Sequence, residues 1–359
     1  MRAFLHGRRR TAPGRLTGVC LAMLFTAASA RAQSFETVGT RALGMGGAFV
    51  AVADDATAAY WNPAGLANSA IVDVPLQRVS TSAPSPQEAS AAQGAGWRAS
   101  TTFFGFALPS LGVTYLRTRL QQAAAPIGGL SDSRQTDRPG MAALSSLATD
   151  QVGVTLLQTL FANLVAGTTL KLARGSFATA LAPAASLSAS LDQAAELSAS
   201  AATRFDLDAG VLAFAGPLRV GVTGRNLLEP AFGPDNGTVA GRLQRQVRLG
   251  IAVTPGFVVN RTAASQPSLT IAVDADLTRT TLVTGDERHL AAGVERWVKG
   301  RRLALRGGVR ANTVGRERRP LGTAGASVAV RPGVLLEGHF ARGAKAAGQQ
   351  WSVGGRVTF

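Results

Sequence analysis

Side chains alternate between apolar and polar at every second position along most of the chain after residue 70. In one such run Leu269, Ile271 and Val273 are apolar, whereas Thr270 and Asp274 between them are polar. A β-strand points successive side chains to opposite faces, so a period of two is typical of a strand with one apolar face. The chain therefore predicts a sheet with an apolar face and a charged face.

The alternating runs divide the chain into fourteen predicted strands. They lie at 71–79, 97–108, 111–119, 152–158, 163–174, 204–213, 218–227, 246–255, 268–279, 288–298, 301–311, 321–331, 334–342 and 350–359. Many have about 9–11 residues, which is enough to cross a bilayer at a tilt. Short turns alternate with longer predicted outer loops near 80–96, 120–151, 175–203 and 228–245. This pattern of connections is typical of transmembrane barrels.

We therefore predict an all-β fold, a transmembrane antiparallel β-barrel of about 14 strands over residues 71–359. Backbone groups cannot stay unpaired in lipid, so a spanning sheet must close and have no edges. A helical membrane protein is disfavoured because no run of about 18 apolar residues follows residue 30. A soluble β-sandwich also alternates, but its charged face would meet water and its apolar face would pack on a second sheet.

Residues 1–32 have the pattern of a secretory signal peptide. Several arginines precede the apolar run 16–25, and Ala30-Arg31-Ala32 forms a small-residue cleavage site. A membrane-anchoring helix is the weaker interpretation because the apolar run is short. The single cysteine, Cys20, lies within this segment, so the sequence predicts no disulfide in the exported protein.

The chain is strongly basic, with a formal net charge of +16. Such an excess can indicate nucleic-acid binding. However, the arginines are spread singly along alternating strands rather than gathered on one helix or beside aromatic side chains. The sequence therefore predicts no nucleic-acid partner and favours arginines that line a lumen, mark the membrane boundary or face outer-membrane lipid and lipopolysaccharide.

The stretch 41–66 breaks the alternation. It reads RALGMGGAFVAVADDATAAYWNPAGL, and its apolar residues follow neither a helical period nor a period of two. It is rich in Gly and Ala and carries two adjacent acids, Asp54 and Asp55. An irregular segment ahead of many alternating strands is what we expect of a plug inside a closed sheet. We assign this plug, or hatch, to residues 33–70.

Part of this stretch resembles the N-terminal signature of FadL-type outer-membrane barrels, in the form G-x5-ADDA-x5-NPAGL. The matching residues are Gly47, Ala53, Asp54, Asp55, Ala56, Asn62, Pro63, Ala64, Gly65 and Leu66. The lead-in RALGMGGAF is similar to PorV/PorQ and TraF-like relatives. The resemblance implies a fourteen-stranded barrel of the bacterial outer membrane, with its lumen closed by the N-terminal segment. It also implies one of two functions, uptake of hydrophobic compounds or service in a secretion system.

Three sets of residues are candidates for function. The plug motif comprises Gly47, Asp54, Asp55, Asn62, Pro63, Ala64 and Gly65. The candidate ligand-lining residues are Leu43, Met45, Phe49, Tyr60 and Trp61. The predicted lumen charges are Arg204, Asp206, Asp208, Arg219, Arg225, Arg248, Asp274, Asp276, Glu295, Arg302, Arg306, Arg310, Glu337 and Arg356. Their mixed signs predict ion pairs across the lumen rather than an open ion-selective pore.

The acidic turn of the plug has two interpretations. Asp54 and Asp55 can accept backbone N–H groups or pair with lumen arginines. The Asn62-Pro63 pair favours a turn in which the Asn side chain bonds nearby backbone. We favour a turn that anchors the plug, and the alternative is a latch whose movement opens a path.

The sequence predicts no catalytic residue, cofactor or metal site. It lacks the usual hydrolase, metalloprotease and nucleotide-binding signatures. Outside the predicted signal peptide it has two histidines, His289 and His339, which are more typical of polar lumen groups than of a metal site. Glycines at 44–47 lack the strand–helix unit that a phosphate-binding loop needs.

Two functions fit the sequence. The first is a monomeric outer-membrane barrel that passes small hydrophobic molecules. The second is a barrel that transports nothing itself and acts as a scaffold or shuttle for a secretion-system protein. The inserts 121–150 and 176–203 read as outer loops, either a lid over the barrel mouth or mobile tips.

Overall fold

The computed structural model describes residues 37–83, 96–124, 141–183, 186–233, 241–255, 268–282, 285–298, 300–314, 320–343 and 348–359. The predicted signal peptide, residues 1–32, lies outside the described residues.

The described residues form a closed antiparallel barrel of fourteen strands and two small hairpins that are not part of the barrel sheet. The strands are β1 (Asp73–Ala83), β2 (Gly96–Leu108), β3 (Leu111–Ala123), β4 (Met141–Phe161), β5 (Leu164–Pro183), β6 (Ala202–Ala215), β7 (Leu218–Arg225), β8 (Ala231–Phe232), β9 (Gly241–Arg242), β10 (Gln246–Val253), β11 (Leu269–Asp276), β12 (Thr280–Leu282), β13 (Gly285–Glu287), β14 (His289–Val298), β15 (Leu303–Asn312), β16 (Pro320–Arg331), β17 (Val334–Gly343) and β18 (Gln349–Thr358). β8 pairs with β9 and β12 with β13 in the hairpins. β1 pairs with β18, from Asp73 opposite Thr358 to Ser82 opposite Gln349, and closes the barrel. The predicted fold class is confirmed.

Each barrel strand has a lumen face and an outward face. On β11, Thr270 and Asp274 are buried, whereas Ile271 and Val273 are 50% and 45% exposed. Large exposed apolar side chains recur on the outward faces of the other barrel strands. An apolar outer band of this kind is typical of a barrel wall that contacts lipid.

The connections give the barrel a turn end and a loop end. At the turn end, two-residue turns join β2 to β3, β4 to β5, β6 to β7 and β16 to β17. Gly216 and Gly333 lie in two of these turns with φ of 59° and 78°, which glycine adopts without a Cβ clash. Most of the longer connections are at the loop end, including the two small hairpins, but the long connection from β10 to β11 is at the turn end.

The N-terminal segment lies inside the barrel. It contains helix α1 (Thr40–Gly44), helix α2 (Ala58–Trp61) and a 3-10 helix (Pro63–Asn68). α1 contacts β15–β18, and the 3-10 helix contacts β4–β6 on the opposite side of the lumen. Residues 37–53 are all buried. We call residues 37–68 the plug.

The barrel wall carries glycine where the plug touches it most closely. A Cβ on Gly293 would lie 2.7 Å from the Cβ of Met45, and one on Gly250 would lie 2.8 Å from the Cβ of Val50. Only glycine lets the wall approach the plug this closely. The wall is therefore shaped around the plug rather than around an open channel.

β4 and β5 are longer than predicted. The predicted strand 152–158 is part of β4, which begins at Met141, and the predicted strand 163–174 is part of β5, which ends at Pro183. The predicted outer loops 120–151 and 175–203 are correspondingly shorter. These additions are rich in Ala, Ser and Thr. They continue the sheet beyond the apolar band, where other parts of the chain cover them.

Helix α3 (Leu187–Glu196) covers the outward face of this extension. The Oγ of Ser186 accepts a hydrogen bond from the backbone N–H of Ala189 and caps the helix start. Leu187, Leu191 and Ala194 pack on small and apolar residues of β3 and β4. The described part of the insert 176–203 therefore lies against the outer wall and not over the mouth. No helix among the described residues is long and apolar enough to cross a membrane.

Candidate functional site

Arg41 in α1 is the centre of a buried ion-pair cluster. Its Nε and Nη2 donate to Oε2 and Oε1 of Glu295 on β14 at 2.8 and 2.7 Å. Its Nη1 donates to Asp55 at 3.1 Å and also contacts Asp54. A bidentate guanidinium–carboxylate pair fixes orientation as well as distance. One arginine therefore joins the acidic turn of the plug to the barrel wall.

Polar contacts continue from Glu295 along the wall. Arg306 on β15 donates from Nε to Glu295 and from Nη1 to Ser327 on β16, both at 2.6 Å. The hydroxyl of Ser327 donates to Glu337 on β17 at 2.8 Å. Four neighbouring strands therefore share one buried network with the plug.

Arg356 on β18 forms a second anchor, next to the seam where the barrel closes. Its Nη1 donates to Asp55 at 3.1 Å, and its Nε lies 3.2 Å from Asp73 on β1. Asp73 also accepts the backbone N–H of Ala56 at 2.7 Å. The acidic turn is therefore tied to both strands of the seam.

The charges around Asp55 keep its carboxyl ionised. Burial alone would raise the pKa of Asp55, but the charges of Arg356 and Arg41 and a hydrogen bond from Thr57 outweigh it. The pKa of Asp55 is therefore below its ordinary value. Burial alone would lower the pKa of Arg41, and the surrounding carboxylates instead raise it above its ordinary value.

Next to this network in the barrel wall, β10 and β11 bind the plug through its backbone. Asp274 accepts the N–H groups of Phe49 and Val50, each at 2.8 Å. Arg248 donates to the carbonyl of Gly47 at 3.3 Å. These contacts fix the backbone path of the plug between its two ends.

A third charged group lies on β5–β7. Lys171 pairs with Asp206 at 2.8 Å and Asp208 at 2.7 Å. Arg225 stands over the ring of Tyr60, with its guanidinium carbon 3.4 Å from the ring centroid. This arrangement gives the plug a cation–π contact with the wall.

Asn62 joins the end of α2 to the wall. Its Oδ1 accepts the N–H of Ala64 at 3.2 Å. Its Nδ2 donates to the carbonyl of Val50 at 3.0 Å and to that of Val211 on β6 at 3.1 Å. One side chain therefore holds a turn of the plug and attaches it to the barrel.

The candidate ligand-lining residues are packed inside the plug. Leu43, Met45, Phe49, Tyr60 and Trp61 are all buried in one apolar cluster with residues of the wall. The rings of Phe49 and Trp61 meet edge to face with centroids 6.0 Å apart. In this arrangement these side chains contact one another and the wall.

The predicted lumen charges fall into three groups. Nine are buried in the lumen: Asp206, Asp208, Arg219, Arg225, Arg248, Asp274, Glu295, Arg306 and Glu337. Asp276 and Arg356 form ion pairs with side chains 12% and 13% exposed, and Arg310 is partly buried. Arg204 is exposed near the loop end and donates to the carbonyl of Thr203.

The assignment of Arg302 to the lumen is wrong. It lies exposed in the turn before β15, because that strand begins at Leu303 rather than at residue 301.

The sequence analysis missed several polar residues of the site, among them Arg41, Asp73, Gln77 and Lys171. Gln77 accepts the N–H of Thr40 at 2.9 Å. Lys171 stands between two leucines in an alternating run, so its position on the charged face could have been found. Arg41 stands in the irregular plug, where no period shows which way a side chain points.

A second apolar cluster lies in the lumen between the plug and the loop end, and we call it the mouth cluster. It comprises Trp97, Ala99, Leu120, Leu147, Ala173, Phe177, Phe232, Leu243 and Leu282. Phe232 of β8 presses on the wall, since a Cβ on Gly175 would lie 2.6 Å from its ring. The mouth cluster combines the lumen faces of β2–β5 with the chain around both small hairpins.

The histidines lie among polar lumen groups. The Nδ1 of His339 is 2.9 Å from the hydroxyl of Ser352, and the Nδ1 of His289 is 3.8 Å from Asp276. In the part of the chain that the structure describes, no three His, Cys, Asp or Glu side chains are grouped to hold a metal ion.

A closed barrel, an ion-paired plug and an apolar mouth define the class of plugged membrane β-barrels. The family model described as "F plasmid transfer operon, TraF, protein" matches residues 89–276, which is more than half of the chain. The chain belongs to this TraF family. A search of the curated proteins found no match.

Solved structures with the same architecture include a hydrocarbon channel, a toluene transporter and a FadL homologue. The CymD monoaromatic hydrocarbon channel has a TM-score of 0.60 at 14% identity, over 91% of this chain and 99% of CymD. The Ralstonia pickettii toluene transporter TbuX has a TM-score of 0.52 at 14% identity, over 90% and 98%. A Pseudomonas aeruginosa FadL homologue has a TM-score of 0.53 at 12% identity, over 90% and 98%. The resemblance to FadL-type and TraF-like barrels is confirmed, and that to PorV and PorQ stays a prediction.

Proposed function

We propose that this protein is a channel of the bacterial outer membrane that takes up small hydrophobic compounds past its N-terminal plug. The observation that carries the proposal is the mouth cluster, a group of buried apolar side chains in the lumen between the plug and the loop end. Concave apolar sites with few polar groups are the usual binding sites for apolar ligands.

From the loop end inward, the lumen has an apolar layer, a charged layer and then the plug. This order supports an entry site at the loop end, followed by a barrier. On β5, Phe177 and Ala173 belong to the mouth cluster, the ion-paired Lys171 follows, and Thr169 donates to the plug carbonyl of Ala59 at 3.3 Å. An apolar compound leaves water when it enters the mouth cluster and gains the burial of its apolar surface. It then meets a charged layer and the plug, so uptake requires the plug to move.

Movement of the plug would make the candidate ligand-lining residues accessible to a ligand. Leu43, Met45, Phe49, Tyr60 and Trp61 would then line a pocket between plug and wall. Compounds the size of one aromatic ring fit the proposal, since CymD and TbuX are named for monoaromatic hydrocarbons and toluene.

Uptake by intact cells tests the proposal, because the lipopolysaccharide layer is the barrier that such a channel would bypass. Cells lacking the gene should take up labelled aromatic compounds more slowly than complemented cells. Phe232→Glu places a charge in the mouth cluster and should lower the uptake rate, whereas Ala195→Glu on the exposed side of α3 should not. Equal rates with and without the protein for aromatics and fatty acids would overturn the proposal.

A second candidate function is a barrel that transports nothing and serves as a scaffold or shuttle in protein secretion. The match to the TraF family favours it, since the description of that family refers to F plasmid transfer. Cross-linking in native membranes followed by isolation tests this function. A secretion-system protein recovered with the wild type, together with normal uptake in cells lacking the gene, would support it over the channel.

A further inference from the structure

On the outward face of β1–β6, the side chains change from apolar to charged or polar between one cross-strand row and the next. One cross-strand row on the outward face comprises Leu76, Phe104, Tyr115, Val152, Leu172 and Phe205. The next row toward the loop end comprises Arg78, Thr102, Arg117, Asp150, Arg174 and Thr203. Arg119 stands one further step along β3. The two rows mark a sharp upper edge of the apolar band.

The charged side chains at this edge form one group, which we call the outer-wall basic patch. It comprises Arg78, Arg117, Arg119, Asp150 and Arg174. The Nη2 of Arg119 lies 3.3 Å and the Nε of Arg117 3.6 Å from Asp150. Arg117 has 54% of its side chain exposed and Arg119 28%. One acid cannot neutralise four arginines, so the patch keeps a net positive charge.

The apolar band on the turn-end side of the patch has the height of a lipid layer. On β4 the outward-facing residues from Val152 to Leu160 span eight residue steps, which is about 27 Å along the strand at ~3.4 Å per residue. A strand tilt of about 40° reduces this to about 21 Å of height, close to the ~25 Å expected of such a band.

Helix α3 marks the other side of the patch. It packs on the outward face of the same sheet, where Leu187 would collide with a Cβ on Gly96 and Asp192 pairs with Arg98 at 2.9 Å. The patch therefore lies at the end of the apolar band on these strands, next to a helix whose Asp192 and Glu196 are exposed.

The described strands from β6 to β18 carry no comparable group of outward-facing arginines. Among the described residues of the barrel strands from β6 to β18, Arg296 and Arg342 are charged and face outward, and Arg331 is exposed at the turn end of β16. Arg296 and Arg342 lie on β14 and β17, and Arg331 is at the opposite end of the β16–β17 pair from Arg342. A general need for charge at the membrane boundary would distribute arginines around the barrel, so their concentration on β1–β5 indicates a localised partner.

We propose that the outer-wall basic patch binds the phosphate groups of a phosphorylated glycolipid of the surrounding leaflet, of the lipid A type. Guanidinium groups bind phosphate oxygens in a bidentate manner. Arg117 stands two strands from Arg78 and two from Arg174, about 9.6 Å on either side. The patch therefore presents several donors over about 19 Å along the wall, with room for acyl chains against the apolar row beneath. This inference rests on the proposed outer-membrane location and not on uptake.

Native mass spectrometry of the detergent-solubilised full chain with bisphosphorylated lipid A tests the patch. The triple variant Arg117→Gln, Arg119→Gln and Arg174→Gln should weaken binding by about tenfold or more, since each arginine at an anionic surface contributes favourably. The matched control Arg296→Gln with Arg342→Gln removes two outward arginines elsewhere and should bind as the wild type does. Lipid A stripped of its phosphates should bind weakly and equally to all three proteins.

Two further measurements keep the test independent of folding and of transport. Lysine at the same three positions preserves charge and should restore most of the binding, and the single variant Arg174→Gln should show a smaller loss. Unchanged binding by the triple and single variants, or an equal loss in the control, would overturn the inference. Uptake of hydrophobic compounds by cells that carry the same variants is measured separately. Failure of the channel proposal would therefore leave the lipid A binding result unaffected.

Discussion

On the side of β14–β18, charged side chains hold the plug, whereas on the side of β4–β6 its backbone packs directly on the wall. Arg41 and Asp55 meet Glu295 and Arg356 on the first side. On the second side Asn62 supplies the main polar contact, donating to the carbonyl of Val211. The difference shows that the two ends of the plug are attached by different physical means, so they should respond differently to charge, volume and pH.

The largest effect is expected from removing the shared arginine on the charged side. Arg41→Ala leaves Asp54, Asp55 and Glu295 buried with fewer partners. Breaking a buried pair in this way costs about 3–5 kcal/mol. We expect a loss of this size in the free energy of unfolding, measured by urea titration in lipid vesicles. A loss below about 1 kcal/mol, as surface pairs show, would mean that the charged side does not hold the plug.

A volume change tests the packed side. Gly210→Ala would drive a Cβ into the side-chain oxygen of Asn62, and overpacking of this kind costs about 1–3 kcal/mol. Gly307→Ala is the matched control, because a Cβ there meets no atom within 4 Å. The same urea titration should show a loss for the first variant and none for the second. Equal stability of both variants would contradict a close fit between plug and wall.

Acid should loosen only the charged side. The pKa of Asp55 is lower in the folded protein than its ordinary value near 4. Its stabilising contribution is therefore complete above about pH 4 and is lost as the pH falls through the lowered folded value. The urea midpoint of unfolding in lipid vesicles should therefore stay nearly constant from neutral pH to about pH 5 and fall only below about pH 4. A fall that begins near pH 6 would point to another titrating group.

The smallest effect is expected outside the barrel. Arg98 and Asp192 form an ion pair with side chains 40% and 66% exposed. Exposed pairs contribute about 0–1 kcal/mol because water and salt screen them. Asp192→Asn should therefore change the free energy of unfolding by less than about 1 kcal/mol. A larger loss would show that α3 supports the wall more than its contacts indicate.

Much of the barrel could be predicted from the sequence because the alternation of apolar and polar residues shows where a strand runs and which side chains face the lumen. The predicted strand 288–298 differs by one residue from β14, His289–Val298. The start of β4 was harder to predict, because its first half has many Ala, Ser and Thr residues in place of an alternating apolar face. These residues are covered by α3 and by the mouth cluster. No local pattern shows that a distant helix will cover a strand.

The site was less accessible to sequence analysis than the wall. That Glu295 faces the lumen follows from its place in a strand, but its partner Arg41 is 254 residues away in a segment without a period. Pairing across such a distance depends on how the whole barrel closes around the plug. The mouth cluster likewise joins four strands to two hairpins, and only the closed fold brings these together.

A reversible tether between plug and wall tests the central claim most directly. The Cβ of Ala56 lies 3.3 Å from the position a Cβ would take on Gly105 of β2, close to the separation that a disulfide needs. With Ala56→Cys and Gly105→Cys in intact cells, we expect a disulfide to form in full, uptake of hydrophobic compounds to stop, and a membrane-permeant reductant to restore it. Failure of the disulfide to form, or unchanged uptake through a fully tethered barrel, would contradict a plug that sits in the lumen and must move for transport.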